Sequence, residues 1–324
     1  MASASKSGVS TIGVDLGGSH VTAILADEDG TTSHRSSYDI TDLSFGAVVK
    51  LMSSAIHDVS AKAASVSAVG IGSPGNIDLR NGMVRYSPNF HWVNVPLGDE
   101  LRSVFDMPIF IGNDARCATL GEHTYGSGRG VKNFVLLTLG TGVGGGIVAE
   151  GTLLLGNSAA AGEFGHHQIR ATDGFICGCG KIGCFEAHAS GTGLLRHALA
   201  CAPSFPRSTL LGDKPYEVGS KTIRKAAEAG DSHALAAWTR FIDDLALGLA
   251  NIIAFMNPDV IALGGGVSSA GDFMLNAVRP KVDELTTMAP KGAAKIVIAS
   301  LGNDAGAIGA AVMARRGGMA TSLP

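Results

Sequence analysis

The chain has 324 residues, a length that accommodates two domains of ordinary size. Hydrophobic residues make up 45% and charged residues 16%, which indicates well-buried cores and excludes a largely disordered chain. The formal net charge of −3 argues against nucleic acid or a membrane surface as a partner. Residues 1–8 lack the apolar core of a secretory signal, and the apolar stretch 245–256 is too short to span a bilayer, so we expect a cytoplasmic protein.

The first part of the chain predicts an α/β arrangement. Three short apolar runs separated by turn residues indicate a meander of strands, and a stretch with helical spacing of apolar residues follows them. We expect strands over residues 9–15, 21–26, 31–38, 66–71 and 108–111, and helices over residues 43–63 and 115–124.

A similar order of elements begins again near residue 133. We expect strands over residues 134–139, 147–150, 152–155 and 260–263, and helices over residues 233–256 and 302–315. A strand-turn-strand pattern followed by helices, occurring twice, predicts two related α/β halves with a cleft between them. We assign residues 1–112 plus 302–324 to a small first domain, onto which the last helix packs, and residues 113–301 to a larger second domain.

Glycine is the compositional outlier, at 45 of 324 residues, and it collects at the ends of predicted strands. The clusters are compatible with ordinary tight turns, but glycine at a strand end also lets the backbone approach a ligand closely. Two turns that contain hydroxyl residues could enclose a triphosphate, with Mg²⁺ on an aspartate and a third glycine turn beside the base or ribose. The candidate nucleotide-binding residues are Asp15, Gly17, Gly18, Ser19, Thr141, Gly142, Gly264, Gly265 and Gly266.

A short segment combines one histidine with three cysteines, namely His166, Cys177, Cys179 and Cys184. Four such N and S donors at short spacing are how a structural zinc ion is usually held in a tetrahedron. The alternatives are a disulfide, for which the odd total of five cysteines offers no support, or unrelated buried thiols. A catalytic zinc is disfavoured because four protein ligands leave no position for water.

Three carboxylates are the remaining candidates for chemistry. Asp114 follows Asn113 at a predicted strand-to-helix junction, where it is either a helix N-cap or a general base for a substrate hydroxyl. Glu163 and Glu186 lie on either side of the Cys/His segment, as surface charges or as hydrogen-bond acceptors for the hydroxyls of one polyol. The remaining histidines near these segments are interpreted as polar or capping residues: His123, His167 and His188.

Several of these motifs together resemble the ROK family of repressors, open reading frames and kinases. The motifs are Asp-Leu-Gly-Gly at 15–18, Gly-Asn-Asp-Ala at 112–115, Gly-Thr-Gly-Val-Gly-Gly-Gly at 140–146 and the segment 162–186, and the resemblance runs in order from about residue 12 to residue 313. It implies an actin/hexokinase-type (ribonuclease H-like) bilobal ATPase fold, with two α/β domains and mixed sheets around a cleft. It also implies ATP, Mg²⁺ and a structural Zn²⁺ as cofactors.

The resemblance further implies a kinase that moves the γ-phosphoryl group of ATP to a hexose hydroxyl, usually O6. Asp114 would be the catalytic base. The residues that would hold the sugar are Gly75, Asn89, Asn113, Asp114, Glu163, His166 and Glu186. The sequence departs from the family pattern at Ser19, where threonine is usual, and at His20, Gly112 and Arg116.

Other functions remain open at this point. Glucose is the first choice of sugar, followed by N-acetylmannosamine or N-acetylglucosamine, then fructose, mannose or allose, and polyphosphate is an alternative donor. A rival of another class is a sugar-responsive transcriptional regulator, although such proteins carry a DNA-binding domain ahead of the first glycine turn and Asp15 lies near the start here. A chaperone-like ATPase of the same fold is a further rival. We expect a homodimer or homotetramer.

Overall fold

The computed structural model describes residues 9–319, so the Ser- and Ala-rich residues 1–8 considered above lie outside it. The chain divides into two compact units. Among the described residues, unit 1 contains residues 9–130, 146–161 and 301–319, and unit 2 contains residues 131–145 and 162–300. The helices within residues 9–319 all fall short of the length and apolar character that a membrane span requires.

The described residues form an alternation of strands and helices. The strands are β1 (Ser10–Leu16), β2 (His20–Ala26), β3 (Thr32–Asp39), β4 (Val66–Ser73), β5 (Asn76–Asp78), β6 (Met83–Ser87), β7 (Trp92–Val95), β8 (Ile109–Asn113), β9 (Phe134–Leu139), β10 (Val143–Ala149), β11 (Thr152–Leu153), β12 (Val260–Gly264) and β13 (Lys295–Ile298). The helices are α1 (Phe45–Ser60), α2 (Leu97–Val104), α3 (Asp114–Tyr125), α4 (Phe185–Ala189), α5 (Gly191–Cys201), α6 (Ser220–Glu228), α7 (Ser232–Met256), α8 (Asp272–Leu285) and α9 (Ala305–Arg315).

The main sheet of unit 1 is mixed, with the strand order β3-β2-β1-β4-β8. β1 and β3 each pair antiparallel with β2, as short turns between consecutive strands require, whereas β4 pairs parallel with both β1 and β8. Asp15 pairs with Gly72 and Ser73 pairs with Asn113 across the parallel strands. The carboxyl ends of β1, β4 and β8 therefore bring Asp15 and Asn113 to the same edge of the sheet. β5, β6 and β7 form a separate small sheet.

The second five-stranded sheet has the order β11-β10-β9-β12-β13. β12 pairs parallel with β9 and β13, and β10 pairs antiparallel with β11, so this sheet is also mixed. In chain order both sheets run third, second, first, fourth, fifth, which agrees with two related α/β halves. The boundary between the units falls inside β10, between Gly145 and Gly146. The predicted α/β class with two mixed sheets is confirmed.

Backbone-to-backbone contact attaches α9 to unit 1. A Cβ atom at Gly13 would lie 1.9 Å from the carbonyl oxygen of Ala307, and one at Gly70 would lie equally close to that of Ala310. On the other side, a Cβ atom at Gly309 would lie 1.6 Å from the carbonyl oxygen of Cys117 in α3. Glycine is therefore required at these three contacts of α9 with β1, β4 and α3, since a side chain there would push the elements apart.

This packing places α3 differently from the sequence analysis. Residues 113–130 were assigned to the second domain, whereas α3 is counted with unit 1 because it packs closely against α9. Residues 146–161 are also counted with unit 1. Strand β10 begins at Val143 and not at residue 147 as predicted, because the glycines interpreted as a turn are strand residues. The strand position 146 is a glycine because a side chain there would collide with Thr119.

Unit 2 has its core around the long helix α7. Its buried face includes Trp238, Phe241, Leu245 and Leu249. Phe185 packs against the same helix at Gly248, where a Cβ atom would lie 2.2 Å from the Phe185 ring. Sequence periodicity did not assign β13 or the helices α2, α4, α5, α6 and α8. In α8 an internal proline, Pro280, obscures the pattern because proline usually ends a helix.

We expect Gly13→Ala to destabilise unit 1, because the new methyl group would collide with the backbone of α9. Overpacking typically costs about 1–3 kcal/mol, and a contact with rigid backbone should reach or exceed the upper end of that range. Chemical denaturation measures this loss. The control is Gly46→Ala in α1, where nothing lies within 4 Å and helix propensity favours alanine. Equal stabilities of the two variants would contradict the proposed packing of α9.

Candidate active site

Asp15, at the end of β1, lies against the first turn of α9. A Cβ atom at Gly306 would lie 2.7 Å from the Asp15 carboxyl carbon, so the absence of a side chain there makes room for the carboxylate. Burial and the negative charges of Asp114 and Asp304 raise the pKa of Asp15 to about 7, and Arg35 opposes the shift. A partly buried carboxylate near other carboxylates is suited to a hydrated divalent cation, which would remove the repulsion.

The neighbours of Asp15 were missed by sequence reasoning. Arg35, on the edge strand β3, forms an ion pair with Asp304, which directly precedes α9. Residues 35 and 304 are far apart in the sequence, and neither belongs to a recognisable motif. Only the packing of α9 on the sheet brings them to Asp15.

The first glycine turn joins β1 to β2. Gly17 donates a backbone hydrogen bond to the carbonyl oxygen of His20 at 2.9 Å, and the Ser19 hydroxyl lies 2.7 Å from the His20 ring. A Cβ atom at Gly18 would lie 3.8 Å from the Asn89 amide nitrogen. The structure therefore brings one candidate sugar-binding residue, Asn89, next to the candidate phosphate-binding turn. Gly18 and Ser19 are exposed, as a turn that presents backbone N–H groups to a ligand needs to be.

Asn113 and Asp114 stand where β8 passes into α3. Asn113 is the N-cap: its side-chain oxygen accepts from the Arg116 N–H at 3.1 Å, and its amide nitrogen donates to the Gly75 carbonyl at 3.1 Å. Asp114 is the first residue of the helix, and one carboxylate oxygen accepts from the Ala115 N–H at 2.8 Å. The interpretation of Asp114 as the cap is wrong, because Asn113 fills that position. Asp114 is partly exposed.

Gly75 belongs to this site through its backbone. Its φ of +108° is a conformation that favours glycine, and a Cβ atom there would lie 2.2 Å from the Tyr86 carbonyl oxygen. The hydrogen bond from Asn113 holds this loop at the start of α3. Unit 1 thus gathers Asp15, Gly75, Asn113 and Asp114 at one edge of its sheet.

In unit 2, residues 163–186 fold into a compact loop, which we call the finger. Gln168 pairs with Cys184 and Ile176 pairs with Ile182 as isolated β-bridges. Gly183 has a φ of +73°, and a Cβ atom there would lie 1.6 Å from the Arg170 carbonyl oxygen, so glycine is needed for the loop to close. Glu163 is exposed at the start of the finger, one residue before a short 3₁₀ turn that contains His166.

The predicted metal ligands come together in the finger. The ligand atoms of His166, Cys177, Cys179 and Cys184 all lie within 4.8 Å of one another. Cys177 Sγ lies 3.8 Å from His166 Nδ1, and the sulfur atoms of Cys179 and Cys184 are 3.6 Å apart. A zinc ion at the usual Zn–S distance of about 2.3 Å holds its sulfur ligands about 3.8 Å apart in a tetrahedron. The donor set and its spacing therefore fit zinc, and all five cysteines are free of disulfides.

Glu186, the last residue of the finger, connects it to the second glycine turn, which comprises residues 140–142. One of its carboxylate oxygens accepts from the Val143 N–H at 2.9 Å, and the other lies 3.6 Å from Cys177 Sγ. A Cβ atom at Gly142 would lie 2.3 Å from the Glu186 carboxylate, so only glycine at this position leaves room for that side chain. Glu186 lies in the first turn of α4, two residues after the last cysteine.

The third glycine turn, residues 264–266, lies beside the second. Gly265 has a φ of +81°, and a Cβ atom there would lie 2.6 Å from the Leu139 carbonyl oxygen, which precedes the turn at Gly140. Thr141 is fixed through its own carbonyl, which accepts from the Thr192 hydroxyl at 2.9 Å. The candidate nucleotide-binding residues of unit 2 therefore share the carboxyl ends of β9 and β12, the edge at which α/β sheets usually bind ligands.

Comparison with known proteins places the chain in a family. The pattern of the ROK family matches residues 11–317. A glucokinase from Thermotoga maritima is 39% identical over 304 residues, 93% of this chain and 95% of that protein. A xylose repressor from Caldicellulosiruptor bescii is 28% identical over 313 residues, 94% of this chain and 77% of that protein.

A solved structure resembles the whole fold. It is a ROK family glucokinase from Streptomyces griseus in complex with glucose and AMPPNP, 34% identical, with a TM-score of 0.83 over 94% of this chain and 99% of that chain. This likeness confirms the predicted actin/hexokinase-type α/β class. The chain belongs to the ROK family.

Proposed function

We propose that this chain is an ATP-dependent hexokinase that transfers the γ-phosphoryl group of ATP to the 6-hydroxyl of glucose. The observation that carries the proposal is the assembly of Asp15, Asn113 and Asp114 at the carboxyl ends of neighbouring strands. One carboxylate beside a turn of exposed N–H groups suits a metal-bound phosphate, and a second at a helix start suits a hydroxyl. The similarity to proteins named glucokinase supports both the reaction and the sugar.

Asp114 acts as the general base in this proposal. Phosphoryl transfer depends mainly on positioning and charge stabilisation, and the hydroxyl loses its proton late, as its bond to phosphorus forms. Asp114 accepts that proton, while Asn113 orients both the helix start and the Gly75 loop. Mg²⁺, held on the side of Asp15, would neutralise phosphate charge when bound.

The remaining candidates bind the two substrates. Some of them bind the sugar hydroxyls, and the residues of the three glycine turns bind the triphosphate and adenosine. The sugar-binding residues are Gly75, Asn89, Asn113, Glu163, His166 and Glu186, and the nucleotide-binding residues are Asp15, Gly17, Gly18, Ser19, Thr141, Gly142, Gly264, Gly265 and Gly266.

The finger is proposed to hold a structural zinc ion through His166, Cys177, Cys179 and Cys184. The spacing of these four donors supports this assignment. The ion would fix the backbone on which His166 and Glu186 face the sugar. Cysteines that form no disulfide suit the reducing cytoplasm, where glucose phosphorylation opens glycolysis. We also propose that the chain assembles as a homodimer or homotetramer, and light scattering would measure the oligomeric state.

The alternatives differ in one measurable property each. An N-acetylmannosamine, N-acetylglucosamine or fructose kinase would prefer another sugar, and a sugar-responsive regulator would bind DNA. The similarity to a xylose repressor supports the regulator as an alternative function. A coupled kinase assay with ATP across hexoses and amino sugars tests the enzyme, and a gel-shift assay at modest salt tests the regulator. Preference for an N-acetyl sugar, or no phosphorylation of any sugar, would contradict the glucokinase proposal.

In the same assay we expect Asp114→Asn to lower kcat by about 10²–10⁴-fold, because the proton of the attacking hydroxyl loses its acceptor. Glucose binding, measured by calorimetry, should change little, since the amide still forms a hydrogen bond. The matched control is Asp99→Asn, which alters a surface carboxylate in α2 that bonds Arg102. A kcat close to that of the wild type would remove Asp114 from the mechanism.

We expect Cys179→Ser to lower zinc content, thermal stability and glucose affinity together, the last by at least about 10-fold, because the finger loses a ligand. Metal analysis gives the zinc content and the glucose KM gives the affinity. Cys201→Ser is the control, since this buried thiol in α5 lies outside the cluster. Full activity in wild-type protein verified to be free of zinc would exclude the structural role of the ion.

The raised pKa of Asp15 makes stability depend on pH. Between the ordinary value of 3.8 and about 7, the folded protein keeps a proton that the unfolded chain releases, so this contribution to stability is lost as pH rises through that window. We therefore expect Asp15→Asn to raise Tm at pH 8 in metal-free buffer, and to change it much less at pH 5.

Asp42→Asn is a control of opposite sign. Hydrogen bonds from the backbone and side chain of Ser44 hold the pKa of Asp42 below its usual range, so its ionised form stabilises the folded state. Its replacement should lower Tm at pH 8. An Asp15→Asn variant that is less stable than the wild type at pH 8 would contradict the raised pKa of Asp15.

A further inference from the structure

A buried network of charged and polar side chains connects the finger to the helices of unit 2. Asp244, in the middle of α7, is 1% exposed. One of its oxygens accepts from Arg170 Nε at 2.7 Å, and Arg170 also approaches this oxygen through a second nitrogen at 2.6 Å. The other oxygen lies 2.9 Å from His188 Nδ1 and 3.3 Å from His197 Nε2. The network therefore joins the finger to three helices, α4, α5 and α7. His188 is an internal part of it and not the polar or capping residue that the sequence indicated.

Backbone groups define where the protons lie. The Phe175 N–H lies 3.0 Å from His188 Nε2, and since an amide can only donate, this nitrogen accepts. His188 Nδ1 therefore carries the proton and donates to Asp244. His197 Nε2 donates to the His188 carbonyl oxygen at 3.2 Å. Burial alone would raise the pKa of Asp244, but the hydrogen bonds from His188, His197 and Arg170 outweigh it and hold that pKa well below its usual range.

The same cluster could suggest a second metal site, because the ligand atoms of His188, His197 and Asp244 lie within 4.8 Å of one another. Two features argue against a cation. The imidazole nitrogens that face Asp244 both carry protons in this arrangement, and metal ligation needs their lone pairs. Arg170 already brings a positive charge to the carboxylate. The cluster is a hydrogen-bond network that is complete with protein groups.

The finger residues in this network lie between two metal ligands. Arg170 and Phe175 both fall in the segment from His166 to Cys177, and the Phe175 ring stacks on His188 at a centroid distance of 4.6 Å. The Arg170 carbonyl oxygen also lies where Gly183 leaves room for it. Asp244 thus holds the segment between His166 and Cys177, directly through Arg170 and indirectly through His188.

The same network reaches the proposed sugar-binding carboxylate. His188 and Glu186 lie two residues apart in the short helix α4. A single buried carboxylate is therefore connected on one side to the segment between the metal ligands and on the other to the helix that carries Glu186.

We propose that Asp244 is a positioning residue, which through Arg170 and His188 sets the finger in the geometry that binds zinc and the sugar. The role in sugar binding rests on the function proposed above. Ligands of metals are commonly oriented by hydrogen-bonded partners outside the coordination sphere, whose loss typically weakens metal binding or activity by about 10–100-fold. Asp244 lies further from the metal site than such partners, because it bonds Arg170 and His188 and not the metal ligands. It therefore acts on the ligands through the backbone of the finger.

The test is Asp244→Asn in the full chain. An asparagine offers one oxygen and one NH₂ group, so either Arg170 or the histidine pair then faces a donor. We expect zinc release into a chromogenic chelator to become about 10-fold faster and amide exchange at Phe175 to accelerate. The glucose KM should rise about 10-fold while kcat changes less than about 2-fold, because Asp114 belongs to the other unit.

Asp243→Asn is the matched control, since the neighbouring carboxylate on the same helix pairs with Lys281 at 2.7 Å and acts on Arg170 only through its charge. Zinc release, exchange and KM should all stay at wild-type values. Arg170→Lys is the second variant if Asp244→Asn fails to fold, because the Arg170 side chain is 40% exposed and its loss leaves no buried cavity. We expect it to move the same readouts in the same direction by a smaller factor.

A lower Tm with unchanged zinc release, exchange and KM in both network variants would overturn the proposal and leave a purely structural role. Failure of the proposed function is distinguishable from this. If the wild-type chain carries no zinc or does not phosphorylate glucose, the function proposed above fails. Amide exchange over residues 174–183 then still decides whether Asp244 positions the finger.

Discussion

The candidate site of unit 2 depends on one hydrogen bond, from the Val143 N–H to the Glu186 carboxylate. It forms only because Gly142 has no side chain, since a Cβ atom would occupy the position of the carboxylate. The bond joins a turn proposed to bind phosphate to the helix that follows the last cysteine of the finger. A proposed sugar contact and a proposed nucleotide contact are thereby set by the same pair of residues, Gly142 and Glu186.

Unit 1 follows the same physical rule with different elements. Close backbone contact between α9 and the sheet, at Gly13 and Gly70, leaves the start of α9 beside Asp15. That position brings Asp304 next to a carboxylate that burial already disfavours in its charged form. Glycine therefore has two roles in this chain: it lets elements pack without side chains, and it leaves room for charged groups at the edges of the sheets.

Much of the fold and of the candidate site could be predicted from the sequence, and the errors have identifiable causes. The helix expected over residues 115–124 is present, but its cap is Asn113 and not Asp114, because both residue types suit that position and only the backbone geometry distinguishes them. The glycines at 144–146 indicated a turn, whereas they continue strand β10, since glycine in a strand also marks close packing. His188 looked like an ordinary polar residue because its partner Asp244 is 56 residues away.

The sequence by itself determined features that depend on local spacing: the strands of the two main sheets other than β13, the helices α1, α3, α7 and α9, the glycine turns, and the four donors His166, Cys177, Cys179 and Cys184. These lie within a short segment whose glycines allow it to fold back on itself. Tertiary structure alone decided which distant groups meet, namely Asp304 with Asp15, the Gly75 carbonyl with Asn113, and Arg170 with Asp244 across 74 residues. The physical reason is that a charge or hydrogen-bond partner leaves no periodic signal in the chain, since its position is set by how helices and sheets pack.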